Sequence, residues 1–242
     1  MHPTKKKLLI QQKKLKHLSA RVFNAKSLIL SQTNPYEVIE EYKYCKIRYY
    51  ASPNKKYQEP LVFVAPLAIN MAIYDLYPYR SLVKHFQHSG FDVYLLEWTK
   101  LNYQDRFLNF LSFIDDALPH CINTICQHAQ SKEISLHGWS MAGVFVTLYT
   151  ALHQPAHVKN LIVLGSPIDS YASGRIGQLF KKINTLISRN HALQKTLYNG
   201  QIPKYFIHTS GRIFALGFKI LDPKGWFESQ KQFLMNLANT QT

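Results

Sequence analysis

Two spacings of apolar residues alternate along the central part of the chain. Four short apolar runs predict buried β-strands, at residues 61–65, 91–98, 133–137 and 159–164. Three stretches with helical spacing separate them, at residues 76–88, 105–130 and 141–153. The second stretch contains Pro119, which must kink or divide a helix. Strands that alternate with helices predict a parallel sheet with helices on both faces.

The pattern changes on either side of this region. Residues 4–30 predict a basic amphipathic helix, and residues 37–50 alternate as a strand does. Beyond residue 170 we expect basic helices at 176–187, 193–198 and 227–237, with one weak strand candidate at 204–208. The expected fold is α/β, a doubly wound and mostly parallel sheet that is shortened at the C-terminus. Three parts are expected: a basic segment (1–34), a core (35–170) and a basic helical region (171–242).

The composition is that of a globular protein, with 46% hydrophobic and 18% charged residues among 242. No run approaches the roughly 18 apolar residues of a membrane-spanning helix. Lysines occupy the N-terminal positions where a secretion signal needs apolar residues. The cysteines at 45, 121 and 126 lack metal-ligand spacing, which predicts reduced and mostly buried thiols in a cytoplasmic protein. We expect no metal and no cofactor.

The net charge of +15 is concentrated on the two flanks. Residues 1–29 carry eight Lys/Arg and no acid, and residues 170–242 carry ten against two acids. Residues 30–169 carry eleven basic and twelve acidic residues. Basic flanks alone support only nonspecific attraction to phosphates, so nucleic acid is not an expected partner. The N-terminal helix either packs on its own domain or docks on an anionic membrane, a lipid-like granule or a partner subunit.

The segment with the clearest chemistry is Gly138-Trp-Ser140-Met-Ala-Gly143, between a predicted strand and a predicted helix. A serine in a tight strand-to-helix turn with small neighbours is typical of a nucleophile elbow. Such a turn holds the hydroxyl of Ser140 at the edge of the sheet and directs the backbone N–H of Met141 toward an oxyanion. The usual pattern has glycine where this chain has Ala142. The alternative is that Ser140 only caps the helix.

A second oxyanion donor is expected from the loop that follows the strand at 61–65. The backbone N–H of Ala68 or of Ile69 is correctly placed for this role. The loop would otherwise be an ordinary connector.

Several motifs occur in order between residues 35 and 170: Pro66-Leu-Ala-Ile-Asn70, Tyr74-Asp-Leu-Tyr-Pro78, Gly90 to Trp98, the strand from Val158, and Ser166-Pro-Ile-Asp169. Together they resemble poly(3-hydroxyalkanoate) synthases, which are acyltransferases with the α/β-hydrolase fold. The resemblance implies that fold, an acyl ester or acyl-CoA-type substrate, and a nucleophile at position 140. In the synthases this nucleophile is a cysteine. A serine ester lies lower in energy than a thioester, so Ser140 favours hydrolysis.

The base and the acid are harder to assign. The resembled family carries both far downstream, beyond a cap region. Asp169 follows a predicted strand end and could serve as the acid, with His208 or His191 as the base. Alternatively, Asp169 caps the next helix and the histidines are solvated, or the chain is the front part of a longer enzyme. His137 is expected to be a satisfied core residue, and His153 and His157 are not convincing bases.

Two functions therefore remain open from the sequence. The first is a serine acyl-transfer enzyme, esterase-like or polyester-synthase-like. The second is a catalytically incomplete homologue that binds lipid, a polyester granule or a partner subunit. We expect a cytoplasmic protein. If it binds lipid or a granule, it would be attached peripherally to that membrane or granule.

Overall fold

A computed structural model describes residues 3–23, 33–67, 71–99, 101, 103–105, 107–172, 174–198, 216, 219–220 and 222–236. The chain divides into two compact units. One comprises residues 31–201, and the other comprises residues 1–30 together with 202–242.

The unit of residues 31–201 is built on a six-stranded sheet. Its strands in chain order are β1 (Glu37–Tyr42), β2 (Cys45–Tyr50), β3 (Leu61–Val64), β6 (Val93–Trp98), β7 (Ile134–Trp139) and β8 (Val158–Leu164). The spatial order is β1-β2-β6-β3-β7-β8. Strands β6, β3, β7 and β8 are parallel, whereas β2 pairs antiparallel with both β6 and β1. The predicted α/β fold with a doubly wound, mostly parallel sheet is confirmed.

Helices connect the parallel strands, as crossover connections require. They are α2 (Leu82–Ser89), α3 (Leu118–Ala129) and α4 (Met141–His153). All four residues of β3 are buried because the sheet is covered on both faces there. An aromatic cluster lies beneath α4, where Phe145 stacks on Phe113 at 5.4 Å and meets Trp98 edge-on.

The prediction of a single strand over 37–50 was wrong. The segment is a hairpin whose two strands pair antiparallel, with Tyr42 opposite Cys45. The chain reverses at Lys43, where φ is 49°. The apolar alternation continues through the reversal, so the pattern alone does not mark the turn.

The helix expected over 76–88 begins later, at Leu82. Ser81 caps it by accepting a hydrogen bond from the Lys84 amide at 2.9 Å. The preceding residues form a two-stranded hairpin of β4 (Asp75–Tyr77) and β5 (Arg80–Ser81). The expected end at Gly90 is confirmed, since Gly90 has the left-handed φ of 106°.

The stretch 105–130 is divided, as Pro119 predicted. A 3₁₀ turn (Tyr103–Asp105) is followed by a π-helical turn (Ser112–Ala117) and then by α3. Pro119 lies in the first turn of α3, directly after the π-helical turn, where the Leu118 amide still donates to the carbonyl of Phe113; the change from π-helical to α-helical bonding thus occurs beside the proline.

The expected basic helices are present. They are α1 (Pro3–Phe23), α5 (Gly174–Arg189), α6 (His191–Tyr198) and α7 (Pro223–Asn236). The remainder of the predicted first helix, residues 24–30, and the weak strand candidate 204–208 lie outside the described residues. Among the helices that the structure describes, none has the length and apolarity to cross a membrane.

Strand β8 is present but is not buried as predicted. It pairs with β7 on one side and is the last strand of the described sheet. Its apolar side chains from Leu161 to Leu164 are 38–47% exposed. Both faces of this strand are thus incompletely covered within the described residues.

The aromatic cluster predicts that alanine substitutions at two positions of α4 will differ strongly in their effect on the free energy of unfolding. Replacing the fully buried Phe145 by alanine should lower the free energy of unfolding by about 3–5 kcal/mol, through lost burial and a residual cavity. The matched change Leu152→Ala, at a side chain that is 62% exposed, should alter it by less than about 0.5 kcal/mol. Urea unfolding followed by circular dichroism measures both. Equal effects would contradict the packing described.

Candidate functional site

Ser140 lies in the turn between β7 and α4. Its backbone angles are φ 55° and ψ −125°, a conformation that costs a non-glycine residue of order 1–3 kcal/mol. Its side chain makes no capping hydrogen bond to the helix, so the simple helix-cap alternative lacks the bond on which it depends. The half-buried side chain thus lies in a strained turn and makes no hydrogen bond that would cap α4.

Close backbone approach makes this turn possible. A Cβ atom at Gly138 would lie 2.6 Å from the carbonyl oxygen of Ala142 and 2.6 Å from a methyl group of Val146. A Cβ atom at Gly143 would overlap the hydroxyl of Ser166. Both glycines are therefore required by space, because a side chain would separate α4 from the strands beneath it.

Two backbone hydrogen bonds fix the serine in place. The Ser140 amide donates to the carbonyl of Leu164 at 2.9 Å, and the Gly143 amide donates to the carbonyl of Ser140 at 3.0 Å. The first bond joins the turn to the end of β8. Sequence reasoning missed this role of Leu164 and the contact between Ser166 and Gly143, because both depend on the pairing of β7 with β8.

The electrostatics of the turn favour a negative charge near Ser140. The first amides of α4 have no acceptor within the helix, and the helix dipole places partial positive charge at this end. Met141, the first predicted oxyanion donor, is the first residue of α4 and is 37% exposed. The start of α4 therefore offers an environment that favours negative charge, which is what the predicted oxyanion role of Met141 requires.

The loop expected to supply the second donor begins beside this turn. Val64, the last residue of β3, lies opposite Gly138 in the register of the sheet. The next residue, Ala65, is held by bonds from the Trp98 indole to its carbonyl (2.6 Å) and from its amide to Leu96 (3.0 Å). Ala68 and Ile69 themselves lie outside the described residues.

Asp169 follows β8 and is exposed. One of its carboxylate oxygens accepts hydrogen bonds from the amides of Tyr171 (2.9 Å) and Ala172 (3.1 Å). It therefore caps the 3₁₀ turn Ser170–Ala172, as the alternative interpretation anticipated. An open cavity of about 510 Å³ is lined by Ile168, Asp169, Ser170, Tyr171 and Asn184.

His137 is the histidine nearest in sequence to Ser140. It is 6% exposed and contacts the rings of Phe63 (5.0 Å) and Tyr74 (5.9 Å). Burial lowers its pKa, so the ring is neutral at pH 7. The ring lies in the core as expected, and within the part of the chain that the structure describes its Nδ1 has no hydrogen-bond partner, so the expected full satisfaction is not seen there.

The other neighbouring histidines have partners away from the turn. His153 pairs with Asp115 at 2.9 Å, at the far end of α4 and about 20 Å from Ser140 by helical rise. His157 hydrogen-bonds the hydroxyl of Tyr149 at 2.9 Å, and burial lowers its pKa. Neither is positioned to take the serine proton, as expected from the sequence.

Of the two candidate bases, one lies among the described residues. His191 is exposed at the start of α6, and His208 lies outside the described residues. Among the described residues, no histidine hydrogen-bonds the Ser140 hydroxyl, and no group of three His, Cys, Asp or Glu side chains could hold a metal ion. The described part of the site thus consists of the strained turn at Ser140 and the start of α4.

The contact between Ser166 and Gly143 predicts a coupled pair of substitutions. Gly143→Ala should destabilise the chain by about 1–3 kcal/mol, because the added methyl group overlaps the Ser166 hydroxyl. In a Ser166→Gly background the same change should cost measurably less, since the overlapping atoms are gone. Urea unfolding of the four chains gives the coupling energy. An equal cost in both backgrounds would refute the contact.

Curated relatives match the central part of the chain. A poly(3-hydroxyalkanoate) polymerase subunit PhaC from Synechocystis is 34% identical over 117 residues, which is 48% of this chain and 31% of that protein. The same subunit from Haloferax mediterranei is 30% identical over 128 residues, or 52% of this chain and 26% of that protein. The chain therefore spans about a third of the length of the curated relatives it matches. The resemblance to this group is confirmed.

The matched solved structures are more distant in sequence. An alpha-beta serine hydrolase homologue from Coxiella burnetii has 16% identity and a TM-score of 0.43, and the match covers 57% of this chain and 65% of that one. The carboxylesterase structure from the thaumarchaeon Nitrososphaera has 18% identity and a TM-score of 0.39, with 66% and 56% covered.

The family model described as alpha/beta hydrolase fold matches residues 69–198, which include the turn at Ser140, strand β8 and Asp169. This match covers more than half of the chain, and it agrees with the observed strand order and with the turn between β7 and α4. The chain belongs to the alpha/beta hydrolase fold family.

Proposed function

We propose that the protein is a serine acyl-transfer enzyme that acts on acyl esters or thioesters, with Ser140 as its nucleophile. The observation that carries the proposal is the backbone of Ser140. A strained turn between a parallel strand and a helix, bearing a hydroxyl that makes no capping bond, is the arrangement of a nucleophile elbow.

The proposed chemistry follows from this position. The Ser140 oxygen attacks the acyl carbonyl, and its proton passes to a base. The backbone N–H of Met141 and that of Ala68 or Ile69 stabilise the oxyanion of the tetrahedral intermediate. Collapse of the intermediate releases the alcohol or thiol and leaves an acyl-serine. Water then attacks the acyl-serine and releases the acid.

The relatives support an acyl substrate, and the residue at position 140 supports hydrolysis. The matched relatives are named as poly(3-hydroxyalkanoate) polymerase subunits. A cysteine nucleophile exchanges acyl groups with a thioester at nearly equal free energy, which suits chain growth. A serine ester lies lower in energy and passes its acyl group to water or an alcohol.

For the base we propose His208, with His191 as the competing candidate, and for the acid we propose Asp169. The order Ser140, Asp169, His208 along the chain is the order of alpha/beta hydrolases. Asp169 accepts both of its backbone hydrogen bonds on one carboxylate oxygen, and the residue is exposed. A histidine could therefore still reach this carboxylate.

A fluorophosphonate probe tests the nucleophile. The unsubstituted chain should be labelled at Ser140, and Ser140→Ala should lose both labelling and ester hydrolysis by about 10³-fold or more. Ser166→Ala is the matched control, because Ser166 lies next to the same turn and should leave labelling intact. Equal labelling of the unsubstituted chain and of Ser140→Ala would remove Ser140 as nucleophile.

Substitution of the two histidines tests the base. His208→Ala should lower kcat/KM for a p-nitrophenyl ester by at least about 10²-fold, because general base catalysis contributes 10²–10⁴-fold. His191→Ala should leave it unchanged. The reverse result would exchange the two roles, and full activity of both variants would exclude both histidines.

A second candidate function, binding to an anionic lipid or granule surface, is favoured by α1. This helix has no acidic residue in its 21 positions. Several of its apolar side chains are exposed, including Leu8 (58%), Leu15 (74%) and Phe23 (87%). Exposed apolar groups among lysines suit the interface of an anionic surface. If Ser140 proves inert, this binding is the function we propose in its place.

Vesicle partitioning tests this second function. Lys13 and Lys16 are exposed on α1, and replacing both by glutamine should weaken binding to phosphatidylserine-containing vesicles by about 30-fold, at about 1 kcal/mol per charge. The same charge change at Lys181 and Lys182 of α5 is the control and should have little effect. Equal loss in both variants, or equal binding to neutral vesicles, would exclude α1 as the docking surface.

A further inference from the structure

Two of the three cysteines meet in the core of the sheet unit. Cys45 begins β2 and Cys121 lies in α3, 76 positions later, and both are fully buried. Their sulfur atoms are 3.2 Å apart. The Cys45 thiol also lies 3.2 Å from the carbonyl of Tyr42, to which it donates. The two thiols therefore face each other directly across the boundary between strand and helix.

A cluster of contacts holds the two elements in this relation. The ring of Tyr42 stacks on that of His120 at 3.7 Å, and its hydroxyl donates to Asp116 at 2.8 Å. His120 also pairs with Glu40 at 2.8 Å, and Lys43 pairs with Asp116 at 2.6 Å. The β1–β2 hairpin is thus fastened to the helical segment at Asp116 and at His120, the residue directly before Cys121.

The next residue along the hairpin adds an apolar contact to the same helical segment. Tyr44 lies edge-on to Phe113 at 5.1 Å, and its hydroxyl donates to the carbonyl of Ser112. The relative position of the two sulfur atoms is therefore set by the surrounding side chains and does not depend on the sulfur contact itself.

We propose that Cys45 and Cys121 form a redox-active pair that closes to an intramolecular disulfide on oxidation by a small disulfide such as glutathione disulfide. A disulfide requires about 2.05 Å between sulfur atoms, so each sulfur must move by roughly half an ångström, which a side-chain rotation supplies. The clamped elements keep the approach of the two side chains within the range that such a bond needs.

The reaction balances through a mixed disulfide. One cysteine loses its proton, and its thiolate attacks glutathione disulfide, forming a protein–glutathione bond and releasing one glutathione thiolate. The second cysteine loses its proton and attacks the protein sulfur, which forms the intramolecular bond and releases the second glutathione. The protein loses two protons and two electrons, and the glutathione disulfide is reduced to two thiols.

Two physical consequences distinguish this pair from Cys126. The hydrogen bond with Cys45, together with burial and nearby carboxylates, raises the pKa of Cys121, so its thiolate forms only when the structure opens. Burial also raises the pKa of Cys126, but this thiol is only half-buried, so it should react faster with an alkylating reagent in the folded, reduced chain. Once formed, the bond closes a long loop and restricts the unfolded chain, which should raise the melting temperature.

The experiment equilibrates the full chain with a reduced–oxidised glutathione buffer, alkylates the free thiols under denaturing conditions and maps the peptides by mass spectrometry. Before alkylation the expected product is two hydrogen atoms lighter than the reduced chain; after alkylation it carries one alkyl group, at Cys126, and contains one cross-linked peptide that joins Cys45 to Cys121. Its melting temperature should rise by on the order of 5–15 °C relative to the reduced chain. Cys126→Ser should retain both results.

The serine variants of the pair complete the test. Cys45→Ser and Cys121→Ser should each lose the cross-link and the rise in melting temperature. If either variant fails to fold, the peptide map and the melting shift of Cys126→Ser decide the question. Three fully alkylated cysteines after oxidation, a bond that involves Cys126, or a bond between two chains would each overturn the proposal.

Discussion

The left-handed backbone of Ser140 is the constraint on which the candidate site depends. The conformation with φ 55° and ψ −125° is unfavourable for a serine by about 1–3 kcal/mol, so surrounding contacts must stabilise it. The surrounding core supplies the compensation. Phe145, Val146 and Tyr149 bury the inner face of α4, and Gly138 lets that face come within contact of β7. The strain is therefore maintained by apolar burial that takes no part in any reaction.

The charges of the central region, residues 30–169, and those of the regions before and after it in sequence are used differently. In the sheet unit the acidic residues pair locally with bases: Arg48 and Lys46 with Glu97, Lys55 with Asp92, and Lys159 with Glu59 and Glu133. The first of these is well buried and made at 2.6 Å, which fixes β2 against β6. The near-neutral centre is thus internally matched, and the excess positive charge lies on flanking helices such as α1 and α5.

Much of the fold could be predicted because its signals are local. Continuous apolar runs marked the parallel strands, Gly90 marked the end of α2, and the glycines around Ser140 marked the turn. The errors arose where tertiary contacts decide the structure. Asp75 is fully buried and accepts hydrogen bonds from the backbone and side chain of Asn34, 41 residues earlier, so the segment around it forms a hairpin and α2 starts late. The hairpin at Lys43 was missed for the same reason, since Asp116 holds that turn from outside. The base could not be placed, because no local pattern distinguishes a catalytic histidine from a solvated one.

The open side of β8 has a consequence for how the sheet can grow. The backbone groups along that side have no neighbour within the described sheet, and the side chains from Leu161 to Leu164 project from both faces. An edge strand of this kind can pair with another extended polypeptide segment, and its backbone groups set the direction and register of the added strand. The Ser140 amide is bonded to Leu164 at the end of this same strand. A segment added at the open side would therefore pair with the strand whose opposite side anchors the turn at Ser140.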